Sequence, residues 1–143
     1  MKAAIIGASS ESLHTIEKAK EYNLTVVALD GNDQAEGLAV ADVPRVVNIS
    51  REEETIECIK QEEIDFVLTV PIGRYLTTIG SVNDTLQLPG IGKEQAVYCT
   101  DKLLFHEKMS QNGLRDCNCY EACAGNEQRE ELYCILKYSV ATN

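Results

Sequence analysis

The first ninety residues alternate between two hydrophobic rhythms. Lys2–Ile6 is a short apolar run closed by Gly7, the pattern of a buried parallel strand that ends in a tight turn. Ala8-Ser9-Ser10-Glu11 follows, where Ser9 or Ser10 is expected to cap a helix and Glu11 to sit in its first turn. Leu13, Ile16 and Ala19 recur at helical spacing up to Tyr22, and Asn23 ends the helix. A second strand is predicted over 24–29, stopping at the turn signal Asp30-Gly31-Asn32-Asp33. Val46-Val47-Asn48-Ile49 predicts a third strand. Ser50-Arg51-Glu52-Glu53 then reads as a capping box opening a helix buried through Ile56 and Ile59. A fourth strand spans 64–70 and is stopped by Pro71. Ile72, Leu76, Ile79, Val82 and Leu86 step by three and four residues, which lines one face of a further helix.

Strand and helix thus alternate at least three times. Right-handed crossovers turn that order into an α/β fold, a Rossmann-like parallel sheet with helices on both faces. Leu88-Pro89-Gly90-Ile91-Gly92 breaks the pattern, so residues 1–92 form one predicted domain and 93–143 the beginning of another. In the second part a short helix is expected over 93–99. Another is expected from Asp101, with Thr100 as N-cap, Leu104, Phe105 and Met109 facing inward, and Asn112-Gly113 as its stop. Residues 131–138 are β-prone. A buried strand so close to the last residue leaves an edge uncovered, which predicts a fragment of a larger protein and some tendency to self-associate.

Composition narrows the function. A net charge of −10 and a pI near 4.6 disfavour nucleic acid and anionic membrane as partners. No apolar run reaches the roughly 20 residues of a membrane span, and the N-terminal stretch is too short for a signal peptide, so a cytoplasmic location is expected. Six cysteines include the group Cys117, Cys119, Cys123 and Cys134, which has no second close pair and no neighbouring histidine. That spacing does not suit a tetrahedral metal site, and reduced thiols are expected instead.

In an open parallel sheet, ligands bind at the carboxyl ends of the strands. That rim should comprise Gly7 to Glu11, Asp30 to Asn32 and Pro71 to Arg74. Gly7 and Asp30 stand where a dinucleotide fingerprint has its first glycine and its acidic residue, but the second and third glycines are missing and Glu11 lies near the pyrophosphate position, which disfavours NAD. Ser9, Ser10 and Glu11 are candidate substrate contacts at a helix N-terminus, and Arg74 is a candidate contact for a carboxylate or phosphate.

The chain resembles the ATP-grasp superfamily, in particular the group that includes carbamoyl-phosphate synthase and biotin carboxylase. The resemblance rests on Ala4-Ile5-Ile6-Gly7-Ala8, Val26-Val27-Ala28-Leu29-Asp30, the segment from Gly37 to Asp42, Ile64-Asp65-Phe66-Val67 and Leu88-Pro89-Gly90, in that order. It implies a pre-ATP-grasp domain followed by the start of an ATP-grasp α+β subdomain. Thr100-Asp101-Lys102-Leu103-Leu104-Phe105 resembles the family's lysine-bearing helix, and Leu132-Tyr133-Cys134-Ile135-Leu136-Lys137 the strand that ends in a second lysine. Lys102 and Lys137 are thereby implied as contacts for nucleotide phosphates, a role that suits a compact, mobile ammonium. The family's proline after the second lysine is replaced by Tyr138. The resemblance implies an ADP-forming carboxylate–amine ligase working through an acyl phosphate, with ATP and a small-molecule carboxylate as substrates. It also implies magnesium, with ligands that lie past Asn143 in the family. No catalytic or metal-binding residue is expected within these 143 residues, and the chain alone is expected to be inactive. The alternative is a non-catalytic Rossmann-like module for binding or regulation.

Overall fold

The structure is a computed structural model that describes residues 1–70 and 73–114, with Arg74 described by its backbone alone. Four strands, β1 (Lys2–Ile6), β2 (Thr25–Asp30), β3 (Val43–Val46) and β4 (Phe66–Leu68), form one sheet in the order β3-β2-β1-β4, with all three pairings parallel. The helices are α1 (Leu13–Glu21), α2 (Glu36–Val40), α3 (Glu52–Glu62), α4 (Leu76–Leu86), α5 (Lys93–Thr100) and α6 (Lys102–Gln111). The predicted α/β sheet is therefore present.

Strand order and handedness decide which helix lies on which face. The chain steps outward from β1 to β2 to β3, then returns past β1 to β4. Right-handed connections put helices of the outward steps on one face and those of the return step on the other. Side-chain alternation agrees. Ala4, Ile6, Val27 and Leu29 pack with Ile59 of α3 and with Ile79 and Val82 of α4. Ile5, Val26 and Ala28 point the other way, to Ile16 and Ala19 of α1 and Leu38 of α2. The β1–β2 register sets Ala4 against Val27 and Ile6 against Leu29, so each face of the sheet is continuous. Nearly every side chain of β1 and β2 is apolar because both strands are covered on both faces.

Several local expectations need correction. The third strand lies at 43–46 rather than 46–49, and includes Pro44. A proline is tolerated there because, among the described residues, β3 is an edge strand of the sheet. Ile49, expected in that strand, is instead buried in the core from the following loop. The capping box does not form. Arg51 is the N-cap of α3 and makes no side-chain cap, while Glu52 reaches across to α4 and α5. No serine side chain caps α1 either: residues 10–12 make a 3₁₀ turn, and the buried Ser12 hydroxyl donates to the Ser9 carbonyl (2.7 Å). The fourth strand is shorter than its apolar run, at three residues. Asn23 leaves α1 in the left-handed conformation, as its type predicts.

The chain divides into two compact units, Met1–Thr100 and Asp101–Asn143. The first takes in α5, past the break read at residue 92. Gly80 allows this, since a Cβ there would lie 2.7 Å from backbone atoms of Gly92 and Lys93. The Lys93 amide also donates to Asp84 of α4 (2.9 Å).

In the second unit α6 is capped by Asp101, whose carboxylate accepts from the amides of Leu103 (2.9 Å) and Leu104 (3.0 Å). Thr100, expected as that cap, belongs to α5, and its hydroxyl turns back to the Ala96 carbonyl. Phe105 is 41% exposed rather than inward, and α6 buries no residue fully. Leu103, Leu104 and Phe105 are consecutive, so they spread around the helix and cannot share one face. Gly113 adopts φ +66°, the expected stop. Lys137, Cys117, Cys119, Cys123, Cys134 and the β-prone run at 131–138 lie outside the described residues. No described helix is long and apolar enough to cross a membrane.

Candidate functional site

The strand order reverses between β1 and β4, because β1 leads to a neighbour on one side and β4 arrives on the other. In open α/β sheets, ligands bind at the carboxyl edge where the strand order reverses. The β1 loop runs from Gly7 to the 3₁₀ turn at Ser10–Ser12, and the segment after β4 leads to a second 3₁₀ turn, Gly73–Tyr75. Ser9, Ser10 and Glu11 therefore stand just after the carboxyl end of β1, and the backbone of Arg74 lies in the 3₁₀ turn that follows β4.

The β1 loop is held from three directions. Gly7 turns the chain at φ +95°, a conformation that favours glycine, and its amide donates to the Leu29 carbonyl (2.9 Å). The Ala8 amide donates to Oδ2 of Asp30 (2.8 Å), and the other oxygen of that carboxylate accepts from the Asn32 amide (2.9 Å). On the far side the Gly37 amide of α2 donates to the Ala8 carbonyl (2.8 Å). The Ser9 carbonyl accepts from both the amide and the hydroxyl of Ser12. Ser10 and Glu11 are exposed and Ser9 is half-buried. Among the described residues no side-chain hydrogen bond engages the hydroxyls of Ser9 and Ser10 or the Glu11 carboxylate.

The opposite edge of the sheet is tied by charge. Lys2 donates its amide to Asp65 (2.7 Å) and its ammonium to the Glu62 carbonyl (2.7 Å). Asp42 accepts from the Val26 amide (2.9 Å) and pairs with Lys20 (3.0 Å), and these contacts, the amide first, hold its carboxyl below the usual range. A third cluster joins three helices: Glu52 of α3 accepts from the Lys93 ammonium of α5 (2.7 Å) and the Ser81 hydroxyl of α4 (2.9 Å). The Lys93 contact is the main reason that its carboxyl lies below the ordinary value of 4.5. The N-terminal edge and the helix junction are thus held by charge pairs, whereas the β1 loop is held by main-chain amides and by Asp30.

No protein-family model matches the sequence, and no curated protein matches it. Solved structures share the fold. Phosphoribosylglycinamide synthetase from Anaerococcus prevotii aligns at a TM-score of 0.75 and 22% identity, covering 96% of this chain and 34% of that one. L-amino acid ligase from Bacillus licheniformis aligns at 0.70 and 19%, covering 96% and 42%. N5-carboxyaminoimidazole synthetase from Staphylococcus aureus, solved as a complex with ADP, aligns at 0.63 and 17%, covering 78% and 29%. The chain shares its α/β fold with part of each of these synthetases and ligases. It spans between 29% and 42% of the length of these three proteins, and at such identities the likeness is one of fold.

Within this fold the sequence candidates separate. Ser9, Ser10 and Glu11 come together on one loop, with the backbone of Arg74 on the segment after the neighbouring strand. Lys102 is the first residue of α6, in the second unit; it is exposed, and no described residue pairs with it. Lys137 lies outside the described residues. No group of three His, Cys, Asp or Glu suited to a metal ion occurs among the described residues.

Two features of the site were not legible in the sequence. Gly37 packs so tightly that a Cβ there would lie 2.7 Å from the Ala8 carbonyl oxygen and 2.8 Å from the Ser12 hydroxyl. Asp30 accepts from the Asn32 amide of its own loop, and it also anchors the β1 loop twenty-two residues earlier.

Proposed function

We propose that the chain is the N-terminal portion of an ATP-dependent, ADP-forming carboxylate–amine ligase. The observation that carries this reading is the alignment over 96% of the chain, at a TM-score of 0.75, with a synthetase of the same architecture. The crevice between the β1 loop and the segment after β4 frames the substrate side, with Ser9, Ser10, Glu11 and Arg74 as contacts. Lys102, exposed at the start of a capped helix, holds nucleotide phosphate together with Lys137. An ammonium at such a position neutralises phosphate charge without needing a rigid fork. Magnesium is the usual companion of ATP in phosphoryl transfer, and no ligand cluster for it occurs among the described residues.

The test is ADP release by the intact protein, purified with whatever sequence its gene supplies, given magnesium-ATP and mixtures of carboxylates and amines. ADP formation that needs both co-substrates is the expected result. Lys102→Ala should lower the apparent affinity for ATP by about tenfold, the cost of one charged phosphate contact. If no mixture yields ADP and ATP does not bind, the non-catalytic module is the better reading.

A further inference from the structure

The turn after the first strand of such a sheet ordinarily offers free backbone amides to an anion, with the following helix adding its positive end. Here that seat is already filled from within. The Ala8 amide is taken by Oδ2 of Asp30 at 2.8 Å, and Oδ1 of the same carboxylate is held by the Asn32 amide at 2.9 Å. With both oxygens engaged, the carboxylate cannot swing aside without giving up two hydrogen bonds. The loop cannot move away from it either, because the Ala8 carbonyl is bound by the Gly37 amide at 2.8 Å. Glu11 adds a second, exposed carboxylate three residues further on.

We propose that Asp30 is a specificity determinant that occupies the anion seat of the β1 loop and bars phosphate-bearing groups from it. The substrate then presents an uncharged or ammonium-bearing group to this loop. This rests on the ligase reading only for the word substrate; the exclusion of phosphate follows from the loop itself. A phosphate placed on the remaining amides of Ser9 and Ser10 would sit beside like charge, and removing the Asp30 charge should relieve that repulsion.

The experiment follows the backbone amide resonances of Ala8, Ser9 and Ser10 in the full chain during titration with inorganic phosphate and with ribose 5-phosphate. In the wild-type protein these resonances should not shift in a saturable way. Asp30→Asn keeps the shape and removes the charge, while Asp30→Ala also frees the Ala8 amide. Amide resonances of β1 and β2 report that each variant is folded. At least one variant should gain about tenfold or more in phosphate affinity, as expected for removing one nearby charge at a partly solvated site. Saturable phosphate shifts in the wild type overturn the proposal, as does the lack of any gain in both variants. ATP binding followed at the Lys102 amide is a separate readout, so failure of the ligase reading would be seen independently.

Discussion

Replacing Gly37 by alanine sets a methyl group against the backbone of the β1 loop. The added carbon would lie 2.7 Å from the Ala8 carbonyl oxygen, 2.8 Å from the Ser12 hydroxyl and 3.0 Å from Ile16 Cδ1. The closest of these atoms is main chain, and Ser12 and Ile16 are fully buried, so relief requires α2 to move away from the loop. Overpacking of this kind costs about 1–3 kcal/mol. Stretching the hydrogen bond from the Gly37 amide to the Ala8 carbonyl would add about 0.5–1.5 kcal/mol. Against this, alanine gains at most about 1 kcal/mol in helix propensity, and less near the start of a short helix. The net expectation is a loss of about 1–3 kcal/mol. Urea unfolding of Gly37→Ala beside the wild type measures it, as a lowered midpoint at unchanged slope. The amide resonances of Ala8, Ser9 and Ser10 should shift as well, because the displaced loop carries them. An unchanged or raised midpoint with those resonances unmoved would refute the argument that Gly37 fixes the candidate site.

Gly80→Ala should destabilise the first unit by a similar amount, about 1–3 kcal/mol, because its Cβ would meet backbone atoms of Gly92 and Lys93 at 2.7 Å and push α5 off α4; a thermal melt no lower than that of the wild type would contradict this. The Glu52 carboxyl has its folded-state pKa held below the ordinary 4.5, first by Lys93, so its contribution to stability is full above that value and is lost as pH falls through the lower folded value. Both side chains are partly exposed, which keeps the effect within about 0.2–1 kcal/mol. Glu52→Gln should therefore be less stable than the wild type at neutral pH and approach it as the pH is lowered below the ordinary carboxylate range; a gap that stays constant as the pH falls would sink the assignment.

The period of the apolar residues was enough to determine the layer plan. Two-residue and three-to-four-residue rhythms, punctuated by Gly7, Asn23 and the turn at Asp30, specify buried strands joined by helices, and handedness then requires a parallel sheet covered on both faces. The carboxyl ends of β1 and β2 were legible for the same reason, since strand ends can be counted along the chain. What the sequence did not determine were contacts between residues far apart in number. Val46-Val47-Asn48-Ile49 has the composition of a strand, yet pairing with β2 selects 43–46, because the register with Val27 to Asp30 is decided across the sheet and not along it. Glu53 was offered a local cap at Ser50, and the helix begins elsewhere because Glu52 finds Lys93 and Ser81 on two other helices. Asp30 and Gly37 look like a loop acid and a small residue in a helix. Only when β1 and β2 lie side by side do they become the anchor and the floor of the β1 loop, since a hydrogen bond of 2.8 Å and a gap too small for a methyl group exist only after the chain has folded.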